Sequence, residues 1–336
     1  MSKKGAKIWS QEERYEIYDM VKTSSVSEMA KHFHVPYAKM IDKIHKMGLN
    51  SKNERQISWS PEEDAILQEC YADAPKDYIM EKLPHRNWSA IRQRGKGKFN
   101  LIRKSRDHIY LNYRFFDEWT EESAYAYGFI LADGYVHRAN TAANGNKNIL
   151  QIEVGIKDID IIYKLAAAIQ FRGSIVNYGK SVKISMNNAH LIDELVKKGM
   201  PWENKTFNAT FPENVPPDMI RHVIRGLIDG DGWSTIMKNH RDKDMYVLGF
   251  CGTQSLVSSV KDLFPVDCSG RKVQQEAKNC WGFSITGKKA YEVGKWLYSD
   301  SSIYLARKKK QLDAAKYIYD MSLTAPSYGK PCEDMA

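Results

Sequence analysis

The sequence predicts an α+β protein: two pseudo-symmetric αββαββα halves with antiparallel sheets, preceded by small all-α three-helix domains. Three observations predict it. Two apolar segments, AYAYGFILADGYV from Ala124 and IRGLIDGDGWS from Ile224, carry Asp-Gly pairs ninety-eight residues apart, at Asp133 and Asp231. Each is followed by the same alternation of strand-like and helix-like stretches at a nearly constant lag. Upstream, a shorter segment around Trp9 returns fifty residues later around Trp59.

With 336 residues, of which 43% are hydrophobic and 27% charged, the chain can hold two or three domains of ~100–200 residues each and a sizeable core. Fifty Lys and Arg against 41 Asp and Glu leave a formal charge of +9, which favours a polyanionic partner without separating DNA, RNA and membrane surfaces. No stretch approaches the ~18 uninterrupted apolar residues of a membrane helix, so no membrane partner is expected. MSKKGAKIWSQEE has no apolar segment after its lysines and predicts no signal peptide. Cys70, Cys251, Cys268, Cys280 and Cys332 are scattered, odd in number and without a CxxC. They predict a reduced, intracellular chain with no zinc-ribbon framework.

The helical repeats come first. IWSQEERYEIYDMV returns as SWSPEEDAILQECY, with Ser10 and Ser60 as N-caps, Glu13 and Glu63 at the capping-box position, and Pro61 as a first helical residue. SVSEMAKHF and YAKMIDKIHKMGL predict two more helices in the first repeat (residues 1–52). DAPKDYIMEKL and WSAIRQRGKGKF do so in the second (residues 53–105). Three helices in ~50 residues, the last two tightly joined, describe a helix-turn-helix whose final helix enters a major groove. Between Pro84 and Arg106 there are eight basic residues (Arg86, Arg92, Arg94, Lys96, Lys98, Arg103, Lys104, Arg106) and no acid, a run suited to phosphates. Trp9, Trp59 and Trp88 are expected in the core rather than against bases. These repeats resemble tandem Myb/SANT-like or helix-turn-helix domains. Residues 106–119 read as a basic-aromatic linker able to cross a phosphate backbone or minor groove.

The long repeats follow, at residues 120–200 and 218–325, joined by a Pro- and Asn-rich connection at 201–217 that argues against a helix, with Pro217 able to start the second signature helix. Gly128 and Gly226 occupy equal positions inside the apolar helices, where a missing side chain lets two backbones meet. Gly134 and Gly232 then read as glycines ending each helix with a positive φ. YVHR and ILQIEVGI, then GSIVNY and SVKISMN, predict four strands in the first half, with helices DIDIIYKLAAAIQ and NAHLIDELVKKG. WSTIMK, YVLGFCG, RKVQQE and CWGFSIT predict four in the second, with helices SLVSSVKDLF and KKAYEVGKWLY. Duplicated units in one chain predict a monomer with an internal pseudo-two-fold axis.

If Gly128 touches Gly226, the two helices deliver Asp133 and Asp231 to one place. A carboxylate in the last turn opposes the helix dipole and two together repel, objections that a divalent cation removes. Oxygen ligands alone suit Mg²⁺, with Mn²⁺ as a substitute, and metal-activated water attacking a phosphodiester is the matching chemistry. Asp229 points away from that pair, and its counterpart in the first copy is Leu131.

FILADG and GLIDGDG resemble the two signature helices of the LAGLIDADG homing endonucleases in their single-chain, two-motif form. The resemblance implies saddle-shaped sheets straddling double-stranded DNA and metal-dependent cleavage of both strands of a long site, leaving short 3′ overhangs. It implies metal binding by Asp133 and Asp231, with the carbonyls of Ala132 and Gly230 approaching the cations. It further implies one basic residue per half near the scissile phosphates. Lys183, with Lys180 close behind, is the choice in the first half, and Lys278 or Lys272 in the second.

Gln151, Glu153, Lys183, Ser185, Ser284 and Thr286 alternate along strands and suit base edges in a major groove. Arg307 and Lys308, in a basic helical tail, either contact the DNA backbone or keep an external helix soluble. Two other functions stay open: a non-cleaving intron-RNA maturase or DNA-binding regulator on the same fold, and a protein-interaction scaffold.

Overall fold

Ser10 begins helix α1 (Gln11–Met20) as its sequence predicts. Its hydroxyl accepts the Glu13 amide at 3.1 Å while the Glu13 carboxylate accepts the Ser10 amide at 3.0 Å. Ser25 and Glu28 repeat this reciprocal cap ahead of α2 (Val26–His32), and α3 (Tyr37–Lys46) follows. Ile17, Met29, Phe33, Met40 and Ile44 form the core these helices share. Trp9 packs onto it, edge-on to Phe33 at 5.5 Å, which is a core role. The computed structural model describes residues 7, 9–49, 59–104, 109–141, 145–202 and 204–320. They divide into two units, Met1–Ala65 and Ile66–Ala336.

Helix α4 (Pro61–Cys70), opened by the expected Ser60–Glu63 capping box, runs across the division. In the larger unit, α5 (Lys76–Lys82) and α6 (Trp88–Gln93) follow, and a π-turn at Arg94–Lys98 prolongs α6. Two members of the predicted basic run turn inward. Arg86 is 8% exposed, and Arg103 donates to the Tyr71 carbonyl with its guanidinium 5.5 Å from the Trp88 ring. The segment read as a linker is packed where it is described: Tyr110, Leu111, Tyr113, Phe115 and Phe116 are all buried. Its aromatics have hydrophobic area to hide, and burial against the protein hides it without nucleic acid. Arg106 lies outside the described residues.

The first half runs α7 (Glu121–Asp133), β1 (Gly134–Thr141), β2 (Gly145–Gly155), α8 (Ile159–Ala168), β3 (Val176–Asn177), β4 (Ser181–Met186) and α9 (Ala189–Lys197). After a short helix, α10 (Lys205–Asn208), the second half repeats the order. It runs α11 (Ile220–Asp231), β5 (Gly232–Lys238), β6 (Asp244–Gly252), α12 (Gln254–Asp262), β7 (Gln274–Ala277), β8 (Cys280–Thr286) and α13 (Gly287–Tyr298), with α14 (Ala306–Tyr319) last. Each half carries a four-stranded antiparallel sheet, ordered β1-β2-β4-β3 and β5-β6-β8-β7. This is the predicted pair of αββαββα halves.

Three local expectations are corrected. Gly134 and Gly232 have φ of −82° and −102°, not positive values. Each is glycine for space: a Cβ at Gly134 would lie 2.7 Å from the Ile130 carbonyl oxygen, and one at Gly232 2.7 Å from that of Ile228. The connection at 201–217 does contain a helix, α10, because Pro and Asn confine helix to one turn rather than forbid it. Helix α11 starts at Ile220 rather than at Pro217. Among the described residues no helix is long and apolar enough to cross a membrane.

Candidate functional site

The site is built where α7 and α11 meet. A Cβ at Gly128 would fall 2.0 Å from the Val223 carbonyl oxygen, and one at Gly226 2.2 Å from that of Tyr125. Each glycine sits in the other helix's backbone, so any side chain at either position is excluded. From this crossing both helices run in the same order of residues to Asp133 and Asp231, residues that keep part of their surface open to solvent. The close approach persists to the ends, since a Cβ at Gly230 would lie 3.3 Å from Asp133 Oδ2.

The electrostatics are those of a crowded anionic pair. Asp133 is pushed up to about 6, first by the protein walling it in and then by the charge of Asp231, against the pull of Lys205 and Lys308. Asp231 is raised as well, by burial, and the same two lysines oppose the shift. Burial lowers both ammonium groups, Lys308 to about 8, while the nearby carboxylates raise them.

Those lysines also finish the helices. Lys205, on α10, donates from Nζ to the Ala132 carbonyl and, at 3.4 Å, to that of Ile130. Lys308, on α14, donates to the carbonyls of Ile228 (2.6 Å), Asp229 (2.7 Å), Gly230 (3.4 Å) and Gly232 (2.6 Å). The last carbonyls of a helix have no intrahelical partner, and a cation there also answers the negative end of the dipole. Sequence reasoning missed Lys205 altogether and put Lys308 on an outer surface, against the DNA backbone or in solvent, whereas Lys308 is 2% exposed. Lys205 follows Asp133 by seventy-two residues and Lys308 follows Asp231 by seventy-seven, lags too unequal to mark the two as a repeat.

The lysines expected at the site stand on or beside the sheets. Lys183, on β4, is paired in register with Glu153 and has its ammonium 5.0 Å from the Tyr178 ring. Lys278 is in the exposed turn between β7 and β8. Arg307 pairs with the largely buried Asp158 at 2.7 Å.

Asp229 points away from the pair, as read from the sequence, into a buried polar hub. It accepts the hydroxyls of Tyr125 (2.8 Å) and Tyr298 (2.6 Å) and the amide of Leu305 (2.7 Å). The last bond fixes the chain just ahead of α14, and hence Lys308. Beside it the fully buried Arg225 donates to Ile303 O and Leu297 O and pairs with Glu121 at 3.0 Å. At the equivalent position of the first copy stands the buried Leu131 in place of the acid.

The proposed base-reading side chains share sheet faces. Leu150, Ile152, Val182 and Ile184 are buried under the helices, leaving Gln151, Glu153, Lys183 and Ser185 on the opposite face. There Gln151 pairs in register with Ser185 and Glu153 with Lys183. In the second sheet Phe283 and Ile285 are buried and Ser284 and Thr286 alternate with them, Thr286 accepting a bond from Arg271 at 3.0 Å.

Two carboxylates and adjoining carbonyls are an all-oxygen donor set, and among the described residues no group of three or more His, Cys, Asp or Glu forms a closed metal cage. That set fits Mg²⁺, which takes one or two carboxylates and fills its remaining positions with water and substrate oxygen. The carbonyls of Ala132 and Gly230 already accept lysine, so the two carboxylates are the principal donors.

No protein-family profile matches the chain, and no curated protein matches it. Among solved structures the chain is similar to the LAGLIDADG homing endonuclease I-GzeII in complex with its DNA target, with 13% identity over 62% of this chain and 94% of that one and a TM-score of 0.44. It is similar to I-LtrWI bound to target DNA, with 13% identity, 63% and 92% coverage and a TM-score of 0.46. A third, the meganuclease I-AabMI bound to uncleaved DNA, gives 12% identity, 60% and 91% coverage and a TM-score of 0.46.

Proposed function

We propose that this chain is a LAGLIDADG homing endonuclease that hydrolyses both strands of a long double-stranded DNA site with a divalent metal, leaving short 3′ overhangs. The observation that carries the reading is the meeting of Asp133 and Asp231 at two helix ends forced together by Gly128 and Gly226. Such a pair is unfavourable without a cation between or beside its members. Mg²⁺ held there would supply an acidified water and neutralise charge on the scissile phosphate.

The chain's own part is positional and electrostatic. Asp133 and Asp231, deprotonated, would hold the metal. Lys205 and Lys308 hold the two helix ends in place and set positive charge beside the carboxylates, where charge builds on a phosphate under attack. This pair is assigned the role expected of Lys183 and Lys278. The latter two suit phosphate contacts along the sheets. Gln151, Glu153, Ser185, Ser284 and Thr286 face outward from the sheets and are assigned to base edges.

The test is to sequence DNA ends after incubating the protein with a diverse duplex library, in Mg²⁺ and in EDTA. Discrete Mg²⁺-dependent breaks with constant short 3′ overhangs are expected. They should disappear in Asp133→Asn and Asp231→Asn while binding persists. Specific DNA binding with no metal-dependent cutting, at full library coverage, would overturn the reading in favour of a regulator. Preferential binding of structured RNA would favour a maturase.

A further inference from the structure

The helical segment ahead of the first half is not held by a tether. Asn188, fully buried, caps α9 by accepting the Leu191 amide at 3.0 Å and uses its own amide to donate to the Asp73 carbonyl at 2.8 Å. Tyr78 of α5 meets Tyr110 and Tyr113 at 5.3 and 5.4 Å between ring centres, and both of those rings are buried. Ion pairs at Arg172–Glu81 (2.7 Å) and Arg114–Glu69 (2.6 Å) rim the contact. The pairs are exposed and worth little; the buried amide and the aromatic cluster are what fix one geometry.

On this fixed segment α6 and its π-turn carry a groove of about 880 Å³ lined by Ser89, Arg92, Gln93, Lys96 and Asn100. All five are exposed. The stretch that forms it exposes Arg92, Lys96, Lys98 and Lys104 and has no acid from Pro84 to Arg106, so the complementary partner is a polyanion. A short helix following a tight turn, presenting Arg, Gln and Ser outward, has the donors that read base edges in a major groove.

We propose that residues 66–104 form a second duplex-reading surface locked to the first nuclease half, so that the protein recognises two blocks of double-stranded DNA separated by one fixed spacing. This rests on the endonuclease reading for the inner block. A tethered helix-turn-helix would tolerate many spacings; a docked one tolerates one, because moving the outer block by half a turn of duplex carries it to the opposite side of the helix.

The experiment is selection of bound duplexes from a random-sequence DNA pool in EDTA, using the full chain and the triple variant Arg92→Ala, Gln93→Ala, Lys96→Ala. For the full chain, an inner and an outer conserved block at a single gap length are expected. The variant should keep the inner block, lose the outer one, and show a salt slope of log K reduced by about 0.9 for each lost phosphate contact. A spread of gap lengths, or an outer block unchanged in the variant, would overturn the proposal. An inner block alone would overturn this proposal but leave the endonuclease reading standing, whereas absence of any selected DNA would sink both. Displacement of the selected duplex from the groove by RNA of the same length would reassign the surface.

Discussion

Lys308 is the residue on which most of the site depends. It reaches four helix-end carbonyls from inside the protein, and replacing it with alanine leaves buried acceptors without a donor. Lys308→Ala should therefore lower stability by about 2–3 kcal/mol in a denaturant melt. Lys205→Ala, with a less enclosed side chain, should cost less, while both reduce cutting. Asp133 sets the pH behaviour. Its carboxyl is raised in the fold from the ordinary aspartate value of 3.8 to about 6, so between those values the folded chain binds a proton that the unfolded chain has lost. That contribution stabilises the metal-free fold at low pH and is lost as pH rises through about 6. Melts in EDTA at pH 4.5 and 7.5 should show it, and Asp133→Asn should reduce the difference, with the raised Asp231 keeping its own share. Cutting should run the other way, falling as pH drops through about 6, because a protonated carboxyl does not hold a cation.

At the scale of elements, the crossing of α7 and α11 governs everything downstream. Gly128→Ala or Gly226→Ala puts a methyl group into a backbone, for which the overpacking cost is about 1–3 kcal/mol or more. Either variant should lower the melting temperature and abolish cleavage together, since the two carboxylates no longer meet. Gly97→Ala is the control: nothing lies within 4 Å of the added atom, and its melt should match the parent. An unchanged melt for Gly128→Ala would mean that the helices can part without cost.

For the molecule as a whole, the division of the chain between Ala65 and Ile66 predicts where it can be cut. Removing residues 1–58 keeps α4 intact and should leave the larger unit's melting temperature close to the parent's. Removing residues 1–104 takes Tyr78 from Tyr110 and Tyr113 and Asp73 from Asn188. It should give a less stable, aggregation-prone protein even though both αββαββα halves remain. Differential scanning calorimetry on the two truncations distinguishes these outcomes; equal melts would show that the helical segment adds nothing to the fold.

The duplicated Asp-Gly helices, their internal glycines, the capping boxes and the order of strands were all legible in the chain. Each is a local pattern: a spacing of apolar residues, a cap three positions ahead of its partner, or a repeat at a constant lag. From these alone Asp133 and Asp231 follow as a pair. Tertiary structure alone decided which lysines stand beside them, because Lys205 and Lys308 come from a connection and a tail whose path no local pattern sets. It likewise decided that Gly134 and Gly232 are needed for room rather than for a left-handed turn, since a clash with the preceding helical turn depends on where the strand departs. The basic run shows the same limit: charge marked it out, but only packing separated the inward Arg86 and Arg103 from the outward Arg92 and Lys96. Periodicity is written along a chain, whereas the neighbour that satisfies a buried carbonyl or ring is chosen by distance in space.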